Sequence, residues 1–104
     1  MPKRKQPRTP TIVVNINNNE DFDIYIGRFT NNPKVGYNLG YWGNPFIEGK
    51  DGTREEVIEK YRQYIIKQPA LLRRLPDLKG KRLGCWCAPL PCHGDVLKEL
   101  CDSI

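Results

Sequence analysis

Residues 84–95 read Gly-Cys-Trp-Cys-Ala-Pro-Leu-Pro-Cys-His-Gly-Asp, and they contain three of the four cysteines and the only histidine in 104 residues. Residues 81–87 have the composition of a strand, and residues 92–100 have the apolar spacing of a helix. This order predicts a strand-to-helix turn at the carboxyl end of a strand, the position at which open α/β sheets bind ligands. We call residues 84–95 the cysteine turn and treat it as the first candidate site.

Two more strands are predicted before that turn. Residues 11–16 and 23–28 are short β-branched and apolar runs on either side of an asparagine-rich segment. Residues 27–52 then lack helical or strand periodicity, but their aromatic side chains favour an ordered rather than a disordered loop. We therefore expect one small α/β domain with a partly parallel sheet, about three helices and a long ordered loop after the second strand.

The remaining helices are indicated by their ends. Thr53-Arg54-Glu55-Glu56 is a capping-box sequence, so a helix is predicted to begin at Arg54 and to end before Pro69. The apolar positions of this helix fall on one stripe: Val57, Ile58, Tyr61 and Ile65. A shorter helix is predicted over residues 69–75, closed by Pro76.

A chain of this length corresponds to one domain, but its first ten residues differ from the rest. Residues 1–10 contain four basic side chains and no acidic one, so we predict a flexible basic arm before a domain of residues 11–104. The four are among 17 basic residues, which leaves 13 against 12 acidic residues in the domain. This balance argues against a dedicated duplex-binding surface, although the arm would add nonspecific affinity for nucleic acid. A solvated tail that aids solubility is the alternative.

The sequence also carries a prediction of location. No stretch approaches the roughly 18 consecutive apolar residues that cross a bilayer, and the polar start lacks the apolar run of a secretory signal. We therefore expect a cytoplasmic protein with no membrane partner. In a reducing compartment, clustered cysteines serve metal binding or catalysis more often than disulfides.

Zinc binding is the first interpretation of the cysteine turn. Residues two apart in a strand project to the same face, so Cys85 and Cys87 are expected to lie side by side. Cys92 and His93 would open the following helix and fold back over that face. The four side chains offer thiolates and an imidazole, the preferred ligands of zinc in structural sites. The spacing is not a standard one, because adjacent residues leave a helix about 100° apart.

Thiol chemistry is the second interpretation. Cys92 would lie at a helix N-terminus, where free N–H groups and the helix dipole favour the thiolate and so create a nucleophile. His93 would act as acid or base toward a bound ligand. Asp95 is a further catalytic candidate in the same first turn, although the dipole favours a carboxylate there in any case.

A purely structural role is the third interpretation. Free cysteine is among the most buried residue types, so Cys85 and Cys87 would be small core side chains. Cys101 is predicted to be core because it falls in the apolar stripe of the last helix. Packing alone does not explain His93 and Gly94, since the glycine costs helix stability and a histidine at an exposed helix start has no evident packing role.

The long loop supplies candidate binding residues. Arg28 follows the second strand, and it would share a rim with the cysteine turn if the strands are parallel neighbours. Its guanidinium suits phosphate or carboxylate recognition. Trp42, Asn44 and Phe46 offer aromatic rings beside an amide, which suits a nucleobase or ribose. Alternatively, the rings are core anchors and Asn44 is a turn former before Pro45.

Several segments resemble an uncharacterised family of small domains found in bacteria and their phages. The segments are residues 24–28, residues 43–46 (Gly-Asn-Pro-Phe), residues 54–56 with Tyr61, residues 78–89, which contain Cys-Trp-Cys-Ala-Pro, and residues 92–97 (Cys-His-Gly-Asp-Val-Leu). The resemblance covers residues 24–100 and implies a single domain, but it implies no reaction.

These patterns together predict a cleft formed by Arg28, residues 42–46 and the cysteine turn. Our first hypothesis is a small nucleotide- or nucleic-acid-processing enzyme, with Arg28 binding an anionic group and Asn44 orienting a base or sugar. In this hypothesis Cys92 and His93 carry out the chemistry. The alternative is a non-catalytic, zinc-stapled module that binds nucleic acid or a protein partner.

Overall fold

A computed structural model describes residues 10–88 and 90–104, so nearly all of the predicted basic arm lies outside the described residues. Within them, three strands form one sheet: β1 (Ile12–Asn15), β2 (Ile24–Tyr25) and β3 (Arg82–Cys85). The order across the sheet is β1-β3-β2, and both pairings are parallel. The prediction of an α/β fold with a parallel sheet is therefore confirmed.

The central strand, β3, determines where the carboxyl ends of the strands meet. Leu83 of β3 is fully buried, and it pairs with Val13 of β1 on one side and Ile24 of β2 on the other. Because all three strands run the same way, their carboxyl ends lie along one edge of the sheet. The loop after β2 and the cysteine turn after β3 both begin at that edge.

The strands are shorter than their sequence patterns predicted. β1 ends at Asn15 because Ile16–Asn18 form a 3₁₀ turn, and β3 ends at Cys85. Cys87 therefore lies beyond the strand, and the alternation argument that placed Cys85 and Cys87 on one face does not apply to it.

Four α-helices lie in the described residues: α1 (Arg54–Ile65), α2 (Pro69–Leu72), α3 (Leu75–Leu78) and α4 (His93–Asp102). The capping box predicted for α1 is present. The Thr53 hydroxyl accepts from the Glu56 N–H at 3.2 Å, and the Glu56 carboxylate accepts from the Thr53 N–H at 2.8 Å. The predicted start of α1 at Arg54 is therefore confirmed.

The region between α1 and β3 differs from the prediction. The sequence predicted one helix over residues 69–75 that Pro76 would close, whereas the structure has two one-turn helices. Pro76 lies in the first turn of α3, where a missing N–H costs nothing because first-turn N–H groups have no intrahelical acceptor. None of the described helices is long and apolar enough to cross a membrane.

The core lies between the sheet and helices α1 and α4. Tyr61 of α1 and both Leu97 and Cys101 of α4 are fully buried, which confirms the core prediction for Cys101. The Tyr61 hydroxyl donates to the Trp42 carbonyl at 2.8 Å, and burial raises the pKa of Tyr61, so the hydroxyl stays protonated. This bond ties the long loop to α1.

Candidate functional site

A cleft of about 540 Å³ lies at the carboxyl edge of β2 and β3. The loop after β2, the start of α1 and the cysteine turn contribute its walls. Seven of the residues proposed from the sequence come together in its lining: Arg28, Asn44, Phe46, Cys85, Cys87, Cys92 and His93. A cavity of this size is in the usual range of small-molecule sites.

Arg28 is an exposed cleft residue whose guanidinium is oriented by the backbone. Its Nε donates to the Asn44 carbonyl at 2.7 Å, and its Nη2 donates to the Phe46 carbonyl at 3.0 Å. Nη1 has no acceptor, and no carboxylate pairs with Arg28, in the part of the chain that the structure describes. The charge of Arg28 is therefore fixed in direction and available to an anion.

Asn44 is buried and holds the loop in place. Its Oδ1 accepts from the Phe46 N–H at 2.9 Å, and its Nδ2 donates to the Val57 carbonyl of α1 at 3.1 Å. Both polar atoms of the amide are thus bonded, as a buried polar group requires. The turn-forming interpretation of Asn44 is observed, and its own carbonyl is one of the two acceptors for Arg28.

Gly43 accounts for the close fit of the same loop against Arg28. A Cβ at Gly43 would lie 2.7 Å from the Arg28 Cα and 2.9 Å from the Arg28 N, which is too close for any atom to occupy. Residues 43–46, which we call the clamp loop, therefore act as a unit. Glycine permits the approach, Asn44 anchors the loop to α1, and two carbonyls hold the guanidinium.

A second hydrogen-bonded chain connects Arg28 with the cysteine turn. The Trp86 Nε1–H donates to the Tyr25 hydroxyl at 2.9 Å, and that hydroxyl donates to the Arg28 carbonyl at 2.6 Å. The Tyr25 and Trp86 rings meet edge to face, with centroids 6.2 Å apart, and both line the cleft. Our sequence analysis missed both rings as site residues. The available signal was strand alternation, which places Tyr25 on the opposite face from the buried Ile26.

His93 is the first residue of α4, and its ring binds the backbone after β2. The His93 Nε2 lies 2.6 Å from the Ile26 carbonyl, and because a carbonyl only accepts, Nε2 carries the proton. Burial lowers the pKa of His93, so the ring is neutral and its Nδ1 is unprotonated. The Tyr61 ring packs edge-on against the imidazole, with centroids 5.0 Å apart. A neutral imidazole with a fixed tautomer is suited to accept a proton at Nδ1.

Gly94 explains how α4 comes so close to the sheet. A Cβ at this position would lie 2.9 Å from the Ile26 Cδ1 and 3.0 Å from the Val13 Cγ1. The absence of a side chain therefore allows His93, the preceding residue, to reach the Ile26 carbonyl. This close packing explains why a glycine lies in the first turn of α4 although it costs helix stability, a reason that the sequence alone did not reveal.

Cys85 and Cys92 bring their sulfur atoms to 3.8 Å from each other. Cys85 ends β3, and Cys92 is the N-cap of α4. Backbone N–H groups point at both sulfurs: the Ala88 N–H donates to Cys85 Sγ at 3.4 Å, and the Gly94 N–H donates to Cys92 Sγ at 3.3 Å. Both cysteines are buried side chains in the cleft wall, and their surroundings favour one thiolate in the pair.

The geometry favours Cys85 as that thiolate. The hydrogen bond from the Cys92 thiol outweighs the effect of burial and, with the Ala88 N–H, lowers the pKa of Cys85 below its ordinary value. The same bond, together with burial, raises the pKa of Cys92. Sequence analysis proposed the thiolate at Cys92 from its helix N-terminus, and that proposal stays a prediction. The contact with Cys85 adds a second candidate, which the sequence could not show because the two sulfurs meet only once the turn is folded.

Asp95 completes the cap of α4. Its carboxylate accepts from the Cys92 N–H at 3.0 Å, while Cys92 Sγ accepts from the Gly94 N–H, so the pair forms a capping box with sulfur in place of the usual hydroxyl. Asp95 is exposed and is not among the cleft-lining residues. The helix-start role of Asp95 is thus observed, and its catalytic role stays a prediction.

The four predicted zinc ligands, Cys85, Cys87, Cys92 and His93, are not assembled as a metal site. In residues 10–88 and 90–104, no group of three or more His, Cys, Asp or Glu side chains is placed to hold a metal ion. The Nε2 of His93 is hydrogen-bonded to the Ile26 carbonyl, and the Cys92 thiol donates a hydrogen bond to Cys85 Sγ. Zinc binding by these residues would require the turn to rearrange.

Two residues changed role between sequence and structure. Trp42 is buried in the core and is not among the residues that line the cleft, so it takes the core-anchor role. Arg54, which sequence analysis treated only as a helix start, lines the cleft. Its Nη1 donates to the Pro91 carbonyl at 3.0 Å, and its Nη2 pairs with the Glu48 carboxylate at 3.3 Å. Unlike Arg28, Arg54 therefore has its charge balanced.

Comparison with known proteins identifies the family. Residues 14–103 match a family described as a domain of unknown function (DUF4326). The chain belongs to this family. It is similar to the uncharacterized protein R718 of Acanthamoeba polyphaga mimivirus, with 38% identity over 107 aligned positions that cover 88% of this chain and 80% of that protein. It is also similar to an uncharacterized 12.4 kDa protein in the nrdA-td intergenic region of Enterobacteria phage T4, with 36% identity over 89 positions that cover 81% of this chain and 71% of that protein.

Membership in the DUF4326 family confirms the broad resemblance drawn from the sequence, and the relatives are viral and phage proteins. No solved structure matches the chain. The family description names no reaction, so any statement on activity rests on the cleft itself.

Proposed function

We propose that this DUF4326 domain is a small enzyme that binds a nucleotide, or a nucleotide unit of a nucleic acid, in the cleft and processes it with the side chains of the cysteine turn. The observation that carries the proposal is Arg28. Two backbone carbonyls orient its guanidinium, and it has no carboxylate partner in the described residues. A planar cation held in this way is suited to a phosphate group.

The apolar part of the cleft supports a nucleotide over a simple anion. Phe46, Tyr25 and Trp86 line it together with Arg28. Base stacking on an aromatic ring is worth about 1–3 kcal/mol per base, and it tolerates any base because every base has a flat face. An oriented cation beside aromatic rings therefore matches both the phosphate and the base of a nucleotide.

The cysteine turn supplies the reactive groups in this proposal. Cys85 is the nucleophile in this proposal, because its sulfur accepts from both the Cys92 thiol and the Ala88 N–H. The Cys92 thiol donates a hydrogen bond to Cys85 Sγ, and Cys92 acts as a positioning residue. His93 accepts a proton at Nδ1, the nitrogen that is free of the Ile26 carbonyl.

Thermal unfolding with added nucleotides tests the binding step. Nucleoside monophosphates should raise the melting temperature of the wild type because a ligand of the folded state stabilises it, and inorganic phosphate should give a smaller rise. Arg28→Ala should lose most of this rise. Arg54→Ala is the matched control, because it removes a cleft arginine whose charge Glu48 already balances, and it should keep the larger part of it. If no nucleotide shifts the wild type, or if Arg28→Ala responds like the wild type, the proposal is wrong.

Product analysis tests the catalytic step. The protein is incubated with nucleoside mono-, di- and triphosphates and with short single-stranded oligonucleotides, and the products are identified by mass spectrometry. Turnover should disappear in Cys85→Ser and fall in His93→Gln. If nucleotides bind but no product forms, the catalytic part of the proposal is wrong and the domain is a binding module.

A further inference from the structure

We propose that Cys85 and Cys92 form a redox-active dithiol that reduces hydroperoxides and closes to an intramolecular disulfide. This activity goes beyond the proposed nucleotide chemistry and does not depend on it, because it needs only the two sulfurs and a small oxidant. It rests on the contact between the sulfurs, on the donors that surround them and on their position in the cleft wall.

The distance between the sulfurs is the first observation. Cys85 Sγ and Cys92 Sγ are 3.8 Å apart, while a disulfide bond is about 2.05 Å long, so closure needs a movement of less than about 2 Å. The two residues lie at the ends of different elements: Cys85 is the last residue of β3, and Cys92 is the N-cap of α4. Closure therefore requires the two element ends to bring their sulfur atoms closer by this small amount.

The second observation is the hydrogen bonding of the two sulfurs. Each accepts from one backbone N–H, Cys85 from Ala88 and Cys92 from Gly94, and the Cys92 thiol in addition donates to Cys85, which favours the thiolate at Cys85. Cys92 keeps its proton and lies in contact with the sulfur that would be oxidised first. This arrangement gives Cys85 the peroxide-reacting role and Cys92 the resolving role.

The chemistry balances with the hydroperoxide as the only oxidant. The Cys85 thiolate attacks one peroxide oxygen, the O–O bond breaks, and the departing oxygen leaves as alkoxide or hydroxide and takes a proton from water. Cys85 is then a sulfenic acid. Cys92 sulfur attacks the Cys85 sulfur and gives up its proton, the S–O bond breaks, and water leaves as the disulfide forms. A thiol reductant restores the two thiols by exchange.

The burial of both sulfurs defines the oxidant. Cys85 is 1% exposed and Cys92 is 4% exposed, so a bulky disulfide or alkylating reagent cannot approach either sulfur along a free surface. Both nevertheless line the cleft, so an oxidant as small as hydrogen peroxide that enters the cleft has the shortest path to them. The ratio of the reaction rate with hydrogen peroxide to the rate with a bulky thiol reagent should therefore be much larger for this pair than for an exposed cysteine.

The remaining two cysteines provide internal controls. Cys101 is fully buried in the core, and its thiol donates to the Leu75 carbonyl. Cys87 is half-buried and has no sulfur partner in the described residues. Neither is expected to join the disulfide, so Cys87→Ser should behave like the wild type.

The experiment treats the reduced full-length protein, dialysed against EDTA, with a small excess of hydrogen peroxide. After quenching, free thiols are counted under denaturing conditions and the products are mapped by mass spectrometry. The wild type and Cys87→Ser should each lose two thiols, the wild type falling from four to two, with one disulfide between Cys85 and Cys92. Cys92→Ser should stop at a sulfenic acid on Cys85, which dimedone traps.

Several results would overturn the proposal. One is a wild type that keeps all four thiols when a comparable free cysteine is oxidised. Others are a disulfide that maps to Cys87 or Cys101, or a dimedone adduct of Cys92→Ser on a residue other than Cys85. The wild-type disulfide map suffices if a variant fails to fold. Because no nucleotide is added, a negative result here leaves the nucleotide proposal standing, and a positive result does not support it.

Discussion

The clamp loop and the cysteine turn are two walls of one cleft, but they are held by different chemistry. In the clamp loop, nitrogen and oxygen make the bonds: the Asn44 amide joins the loop to α1, and two carbonyls hold Arg28. In the cysteine turn, sulfur replaces oxygen. Cys92 caps α4 in the position where serine or threonine is usual, and Cys85 accepts from the Ala88 N–H. Sulfur is the weaker acceptor, so the turn gains less stability from these bonds than oxygen would give.

What the turn gains instead is reactivity. A hydroxyl at either position would stay protonated near neutral pH, whereas a thiol surrounded by donors ionises. The clamp loop thus holds a charge that is independent of pH, that of Arg28, and the cysteine turn supplies a charge that depends on pH. Substitutions in the clamp loop should therefore change stability and binding, while substitutions in the turn should mainly change the pH dependence and the thiol reactivity.

The largest expected effect is the pH dependence of folding stability. The pKa of Cys85 is lower in the folded protein than its ordinary value of 9.0, so the folded state is favoured by the thiolate. This contribution is fully present above pH 9.0 and is lost as the pH falls through the lowered pKa of the folded protein. Urea unfolding at pH 6, 7, 8 and 9 should show stability rising with pH.

Two neighbouring groups set the limits of this pH window. Below the ordinary pKa of 6.5, stability falls further, because the pKa of His93 is lowered by burial and only the unfolded chain takes up the proton readily. Above 9.0, the raised pKa of Cys92 acts in the opposite direction, because the unfolded chain loses that proton first. Cys85→Ser should remove the rise between pH 6 and 9 and leave the decline caused by His93. Equal stability of the wild type at pH 6 and pH 9 would mean that the fold does not favour a thiolate.

A smaller loss of stability is expected from the clamp loop. Asn44→Ala removes a buried amide with two bonds and leaves the Phe46 N–H without its acceptor, which should cost about 2 kcal/mol at any pH. Asn38→Ala is the matched control. The Asn38 amide also bonds the loop backbone, at Thr30 and Gly36, but it is only half-buried, so water can replace the bonds and the cost should be under about 1 kcal/mol. Equal costs at the two positions would show that the clamp loop is not specially anchored.

Local signals predicted the fold well because they lie within a few residues of one another. The capping box at Thr53 fixed the start of α1, and the β-branched runs located β1 and β2. Pro76 was predicted to close a helix, but it lies in the first turn of α3. Proline is common at both positions, and the path of the following residues, which the sequence does not show, distinguishes them. The error is local, and it left the predicted topology unchanged.

The candidate site was only partly predictable, because its contacts join residues far apart in sequence. Arg28 and His93 were placed at one rim by the rule that parallel strands end at the same edge. The sulfur contact of Cys85 with Cys92 depends on the path of residues 86–91, and the bond from Trp86 to Tyr25 spans the sheet. Neither follows from composition or periodicity.

The smallest expected change in stability is that of Cys92→Ser. A serine hydroxyl accepts from the Gly94 N–H at least as well as a thiol, so the cap of α4 should survive and the loss should stay below about 1 kcal/mol. The hydroxyl can also donate to Cys85, so the pH midpoint for alkylation of Cys85 by a small reagent should stay well below 9.0.

Cys92→Ala is the contrasting variant. It removes both the cap and the donor, so it should be less stable than Cys92→Ser and should move that midpoint toward 9.0. If Cys92→Ser were as unstable as Asn44→Ala, the turn would be as demanding in structure as the clamp loop, and the division of the cleft into a structural wall and a reactive wall would fail.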